Sequence, residues 1–205
     1  MRNRSYMSLA AGLAVAVVAV SFHIANAQAT KTKPKAAEHA AAGHAGDASK
    51  VTAAVAVVDG LGDHKVKGKV TFTQKADGVE IVGEFTGLQP GEHGFHVHEF
   101  GDCSMADGKC AGGHFNPNGG KHSSPSDPGR HAGDFGNIKA DNTGKATYKM
   151  LDSMISLSGP TSIIGRSVIV HAKADDLKTQ PSGDSGDRIG CGVIGIADPK
   201  MQMAH

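Results

Sequence analysis

Charge of one sign, cysteine and long apolar runs are all scarce in this chain of 205 residues, and tryptophan is absent. Lys plus Arg number 21 against 20 Asp plus Glu, a formal net charge of +1. No basic run occurs beyond the N-terminal tail, which argues against a nucleic-acid partner. The apolar run at 9–22 is shorter than the about 20 residues that a spanning helix needs, so no stable membrane association is expected. Cysteines number 3 (Cys103, Cys110 and Cys191), enough for one disulfide and one remaining thiol. None lies near the N-terminus, so a lipoprotein anchor is unsupported. Asn3 separates Arg2 from Arg4, so a twin-arginine export signal is unsupported too.

What is present at the N-terminus has the order of a secretory signal peptide. Arg2 and Arg4 are positive, residues 9–22 are apolar, and Ala25-Asn26-Ala27 is a small-x-small cleavage site. The expectation is a signal peptide over 1–27 and an exported chain, periplasmic or extracellular. Export implies an oxidising compartment, in which cysteines form disulfides. Residues 28–50 are rich in Ala, Lys and His, with too few large apolar side chains to order themselves, and read as a flexible linker. His39 and His44 belong to that solvated spacer. A domain over 51–198 follows, then a tail at 199–205 carrying Met201, Met203 and His205, read as frayed.

Within 51–198 the pattern is that of short strands. Glycines number 28 and β-branched runs recur, so helix content should be low. Residues 51–58 form one apolar run. Residues 66–74 and 79–86 alternate in polarity, and Asp77-Gly78 between them is a hairpin signal. Further strands are predicted at 94–100, around Ile138, at 146–150 beyond Asp141-Asn142-Thr143-Gly144, at 163–170 and at 193–197. About eight such strands predict an all-β fold, an antiparallel Greek-key barrel or sandwich. Two long insertions, 101–133 and 174–190, break the rhythm and should be functional loops.

Those loops and their flanks hold a constellation of His96, His98, His114, His122, His131, Asp134 and His171. Residues two apart on a strand share a face, so His96 and His98 present adjacent imidazoles while Val97 turns into the core. His171 directly follows the run Val168-Ile169-Val170. The loop carrying His114, His122 and His131 has little apolar content, and closing it around a metal is the physical way to order it. Imidazole suits zinc and copper, and an added Asp suits zinc. The pattern reads as two metal sites sharing a ligand. His93 reads as a structural histidine bonded to backbone, and His64 as solvated.

The stretches Gly94-Phe95-His96-Val97-His98-Glu99-Phe100-Gly101-Asp102, His114-Phe115-Asn116-Pro117, Lys121-His122, Arg130-His131-Ala132-Gly133-Asp134, Val170-His171-Ala172-Lys173-Ala174-Asp175-Asp176-Leu177 and Cys191-Gly192-Val193-Ile194-Gly195 resemble copper/zinc superoxide dismutase, in that family's order across about 51–198. Copper/zinc superoxide dismutase is itself one of the known β-sandwich proteins. The resemblance implies copper at His96, His98, His114 and His171, and zinc at His114, His122, His131 and Asp134, with His114 bridging as an imidazolate. It implies that Asp175 links a copper ligand to a zinc ligand, and that Arg188 binds the superoxide anion at the copper channel. The implied reaction converts two superoxide anions and two protons into oxygen and hydrogen peroxide, with copper alternately reduced and re-oxidised. The resemblance further implies that His114 takes up a proton in the reduced state.

The resemblance also implies a disulfide from Cys191 to the long loop. Cys103 is the preferred partner on the bacterial pattern and Cys110 the alternative. Lys178 is the candidate steering residue. An apolar patch of Gly101, Ile164, Gly165, Val193 and Ile196 matches the family's homodimer contact, with strand core as the other reading of those residues. The rival function is an exported copper/zinc buffering or metal-delivery module without catalysis. The complete copper set together with Arg188 favours the enzyme.

Overall fold

The computed structural model describes residues 51–202, so the expected signal peptide, the linker and the last three residues of the tail lie outside the described residues. Among the described residues eight strands form: β1 Ala53–Gly60, β2 Lys67–Lys75, β3 Gly78–Thr86, β4 Gly91–His98, β5 Asp134–Ala140, β6 Ala146–Asp152, β7 Ser167–His171 and β8 Arg188–Ile196. All pairings between them are antiparallel, in the order β5-β4-β7-β8-β1-β2-β3-β6. The first three strands form a meander. The chain then crosses to lay β4 and β5 at the far end, returns to pair β6 with β3, and inserts β7 and β8 between β4 and β1. This is a nearly closed Greek-key barrel, as the strand pattern predicts. Among the described residues no helix is long and apolar enough to cross a membrane.

Alternation builds the interior. In β3, Val79, Ile81 and Phe85 are buried while Val82 and Glu84 face out. Phe85 meets Phe95 edge-on at 5.4 Å between ring centroids, and Phe95 meets Tyr148 at 5.1 Å. Full burial of an apolar side chain such as Phe85 or Phe95 contributes about 1.5–3 kcal/mol. Tyr148 on β6 donates its hydroxyl to the carbonyl of Phe135 on β5 at 2.8 Å, tying the two outermost strands together.

β4 breaks the alternation in a way that positions the site. Its residues from His93 to His98 are all buried. Phe95 and Val97 point into the barrel core, whereas His96 and His98 project outward beneath the two long loops. β7 is likewise buried throughout: Val168 and Val170 join the core, and Ile169 packs outside it with Leu61, Ala111 and Cys191.

Several strand limits differ from the sequence expectation. β4 ends at His98, because Glu99 and Phe100 leave the ladder and Phe100 is 58% exposed. β7 starts at Ser167, because Gly165 adopts φ 78° in a turn that precedes it. β8 starts at Arg188 rather than Val193. At the C-terminus a single helical turn, Pro199–Gln202, occupies the start of the segment read as frayed.

Candidate metal centre

The ligand-type side chains converge on the outer face of β4. His96 and His98 come from β4 and His171 from the last residue of β7. The ladder shifts register between Gly94 and His96 on β4 and between Val170 and His171 on β7, so both strands bulge where they carry these histidines. His114 is drawn alongside by an isolated antiparallel bridge to His98. Phe115 N–H donates to Val97 O at 2.8 Å and Gly133 N–H to Phe115 O at 2.9 Å, which folds the long loop back onto β4. Asp134 opens β5 opposite His96.

Two groups result. His96, His98, His114 and His171 each offer one ligand atom, all within 4.8 Å of one another; so do His114, His122, His131 and Asp134. All seven residues are buried, and His114 belongs to both groups. Its ring lies 4.0 Å from that of His96 and 5.3 Å from that of His122, centroid to centroid.

The hydrogen bonds around the rings decide which nitrogens are available. His96 Nε2 donates to Asp175 Oδ2 at 2.8 Å, and His122 Nε2 to Asp175 Oδ1 at 2.9 Å. His98 Nδ1 donates to Gly112 O at 3.0 Å, and His171 Nδ1 to Gly186 O at 3.1 Å. These neighbours only accept, so each ring carries its proton there and a lone pair on the opposite nitrogen. Those opposite nitrogens are His96 Nδ1, His98 Nε2, His122 Nδ1 and His171 Nε2. All four are buried without a hydrogen-bond partner, as are His114 Nε2 and His131 Nδ1. Buried lone pairs left unpaired are costly. A cation at each group satisfies them, so the donor sets fit metal ions. His93 makes the contrast, because its two ring nitrogens lie 2.8 Å from the carbonyls of His171 and Gln89 and leave nothing for a metal. His64 is exposed, as read from its turn.

Asp134 is oriented with care. Its Oδ2 accepts the N–H groups of Ser123 at 3.1 Å and His131 at 3.0 Å. Its Oδ1 faces the Nδ1 atoms of His114, His122 and His131 at 2.7, 3.0 and 3.3 Å. Burial would push its carboxyl up, but the hydrogen bond of His114 and the close approach of the His122 ring outweigh this and hold it well below the usual carboxylate range. Burial, reinforced by the neighbouring histidines His114 and His171, keeps His96 and His98 far below the ordinary imidazole value. Burial likewise takes His171 down to about 4. Neutral imidazole is the form that binds metal, so these shifts favour ligation. His122 goes the other way: burial lowers it, but the carboxylates of Asp134 and Asp175 raise it to about 9, so a metal arriving at Nδ1 would displace a proton there.

Around these groups, Arg188 Nη1 donates to Gly108 O and Nη2 to Gly112 O, both at 2.6 Å. Gly112 O therefore holds both Arg188 and His98. That shared carbonyl brings this cation to the edge of the four-histidine group. The disulfide joins Cys103 to Cys191 and leaves Cys110 free, half-buried in the short 3-10 turn Lys109–Ala111. Lys178 is exposed on the loop 172–187, its N–H held by Asp176 Oδ1 at 2.9 Å.

Sequence reasoning missed several supports. Asn137 pairs its carboxamide with the peptide of Asp175, donating to Asp175 O at 2.9 Å and accepting from its N–H at 2.7 Å. Gln180 does the same for His122. Arg130 forms a buried ion pair with Asp152 and donates to the carbonyls of Pro125, His131 and Ala132. Gly183 packs so tightly against Asp175 that an added Cβ would lie 1.8 Å from Oδ1. A side-chain amide facing a peptide leaves no periodic signature. Only the burial of uncharged loop backbone hints at the need for one.

Comparison with known proteins agrees with this geometry. The profile of the copper/zinc superoxide dismutase (SODC) family matches residues 66–194. A solved structure described as a crystal structure analysis of the clock protein EA4 is similar to this chain at 43% identity and a TM-score of 0.66. That similarity covers 72% of this chain and 97% of the other.

Proposed function

The chain belongs to the copper/zinc superoxide dismutase family, and from that premise we propose that it converts superoxide into oxygen and hydrogen peroxide. Copper would be held by His96, His98, His114 and His171, and zinc by His114, His122, His131 and Asp134. The observation that carries this reading is the set of six buried imidazole nitrogens without partners, aimed into two groups that share His114. Four nitrogens suit copper, and three nitrogens with a carboxylate make an ordinary closed zinc site. Bound copper supplies a one-electron couple, and bound zinc supplies fixed charge without redox chemistry.

The rest is the work of the chain's own side chains. Arg188 is fixed by Gly108 O and Gly112 O and still has N–H donors left over. It is always charged, so it can hold a small anion beside the four histidines. Asp175 orients His96 and His122 at once, and such outer partners fix ring orientation and tautomer. His114 Nε2 is the atom we assign to carry a proton between the two half-reactions, because it is buried in the four-histidine group without a partner. Lys178 on the exposed loop is assigned to steer the anion inward.

We place the catalytic domain at 51–198, with export directed by residues 1–27, a linker at 28–50 and a tail at 199–205. The Cys103–Cys191 disulfide supports an oxidising, periplasmic or extracellular, location. The exposed apolar side chains Val193 and Ile196, 45% and 66% exposed, and the close packing of Gly101 on Gly165 and Val193 support a homodimer through these residues and Ile164.

Replacing His171 with Ala tests the assignment against the rival of a metal-buffering module. The variant should lose copper binding and nearly all superoxide turnover while retaining zinc. A wild-type protein fully loaded with both metals and inert toward superoxide would leave only the buffering role.

A further inference from the structure

The second loop does more than carry Asp175 and Lys178, because one of its side chains reaches across to the backbone of a histidine in the other loop. Gln180 Oε1 accepts the N–H of His122 at 2.9 Å, and Gln180 Nε2 donates to His122 O at 2.7 Å. The same Nε2 donates to Lys178 O at 3.1 Å. The carboxamide thus imitates a neighbouring strand for a residue that has none, since His122 lies in a stretch without regular structure. His122 itself is only 2% exposed, so its peptide N–H and C=O need partners within the protein. Gln180 is exposed and its own loop is locked close by, where Asp176 accepts from the N–H groups of Lys178 at 2.9 Å and Thr179 at 2.8 Å.

Two separate constraints therefore bear on one ring. Asp175 fixes His122 at Nε2, and Gln180 fixes the backbone from which that ring projects. With both in place, Nδ1 is turned toward Asp134 Oδ1 at 3.0 Å. We propose that Gln180 is a positioning residue for the zinc-side group, holding the His122 backbone so that Nδ1 is presented to the metal before the metal arrives. The proposal rests on the reading of His114, His122, His131 and Asp134 as a zinc site. It makes the second loop a determinant of zinc affinity as well as of anion access.

The test uses the full chain, stripped of metal and titrated with zinc alone against a chromophoric chelator. Gln180→Glu is nearly isosteric and keeps an acceptor for the His122 N–H, but it sets an oxygen against His122 O. Gln180→Ala removes both contacts. Each variant should bind zinc about 10- to 100-fold more weakly, the usual consequence of losing an outer partner of a ligand. In the metal-free state the His122 amide should exchange its hydrogen faster, while the melting of the barrel stays that of the wild type. If the wild type binds zinc and both variants match it in affinity and exchange, the proposal is overturned and the zinc reading stands. If the wild type takes up no zinc, both fall together. A loss of affinity that comes with an equal loss of barrel stability would also overturn it, because Gln180 would then serve the fold rather than His122.

Discussion

At the scale of single residues, the centre is an exercise in assigning protons. Acceptor-only neighbours take the N–H of four rings, and the lone pairs left over point at two places. Asp175 matters most here because its two oxygens serve one ring in each group. Asn at this position keeps the size, but one oxygen becomes an NH2 that confronts a ring N–H. We expect Asp175→Asn to weaken copper and zinc binding together by about 10- to 100-fold, measured by chelator competition. A loss confined to one metal would contradict the bridging role. His96 and His98 were legible in the sequence because strand geometry repeats every two residues. Asn137 and Gln180 were not, because a side-chain amide clasping a distant peptide follows no spacing rule.

At the scale of elements, the two insertions behave as one unit pinned to β8. Cys191 lies three residues after Arg188 on that strand, and its partner Cys103 anchors the segment whose carbonyls at Gly108 and Gly112 hold the guanidinium. The disulfide spans 88 residues, a closure that stabilises the fold by about 4–5 kcal/mol on the chain-entropy account. Cys103→Ser should lower the denaturant midpoint accordingly and reduce turnover by releasing Arg188. An unchanged midpoint would show that the loop is held by the metal-side contacts alone. The hairpin at Asp77-Gly78 and the turn at Asp141-Asn142-Thr143-Gly144 were readable from their turn residues. β8 was read too short because Gly190 and Gly192 interrupt its apolar run. Packing imposes the second, because a Cβ on Gly192 would lie 2.5 Å from Val57 O, and crowds the first, where a Cβ on Gly190 would lie 3.1 Å from side chains of Val58 and Val66. Close approach in three dimensions thus erased a pattern that exists only in one.

At the scale of the whole molecule, charge and surface set how substrate and partner meet the chain. Residues 51–198 carry 14 Lys plus Arg against 18 Asp plus Glu, a net of −4 before metals. Net charge therefore repels an anion, and on the proposed reading attraction comes from a local field at Arg188 and the proposed steering residue Lys178. Such focusing raises association rates by about 10- to 1,000-fold, superoxide dismutase being itself a known example. Turnover should fall as salt screens that field over about 10 Å at 0.1 M, and Lys178→Ala should flatten the dependence. A rate indifferent to salt in the wild type would remove electrostatic guidance. The exposed Val193 and Ile196 should bring two copies together, so sedimentation should give a dimer mass, and Ile196→Glu a monomer. A monomeric wild type would return these side chains to ordinary surface.

The proposed metal centre depends on His114 offering one ring nitrogen to each group. Anomalous diffraction at the copper and zinc absorption edges, from crystals loaded with both metals, tests that most directly. The predicted maps show a copper peak against His114 Nε2 and a zinc peak against His114 Nδ1, one on each side of the same ring. Peaks that leave either nitrogen without a metal, or that put both ions elsewhere, would contradict it.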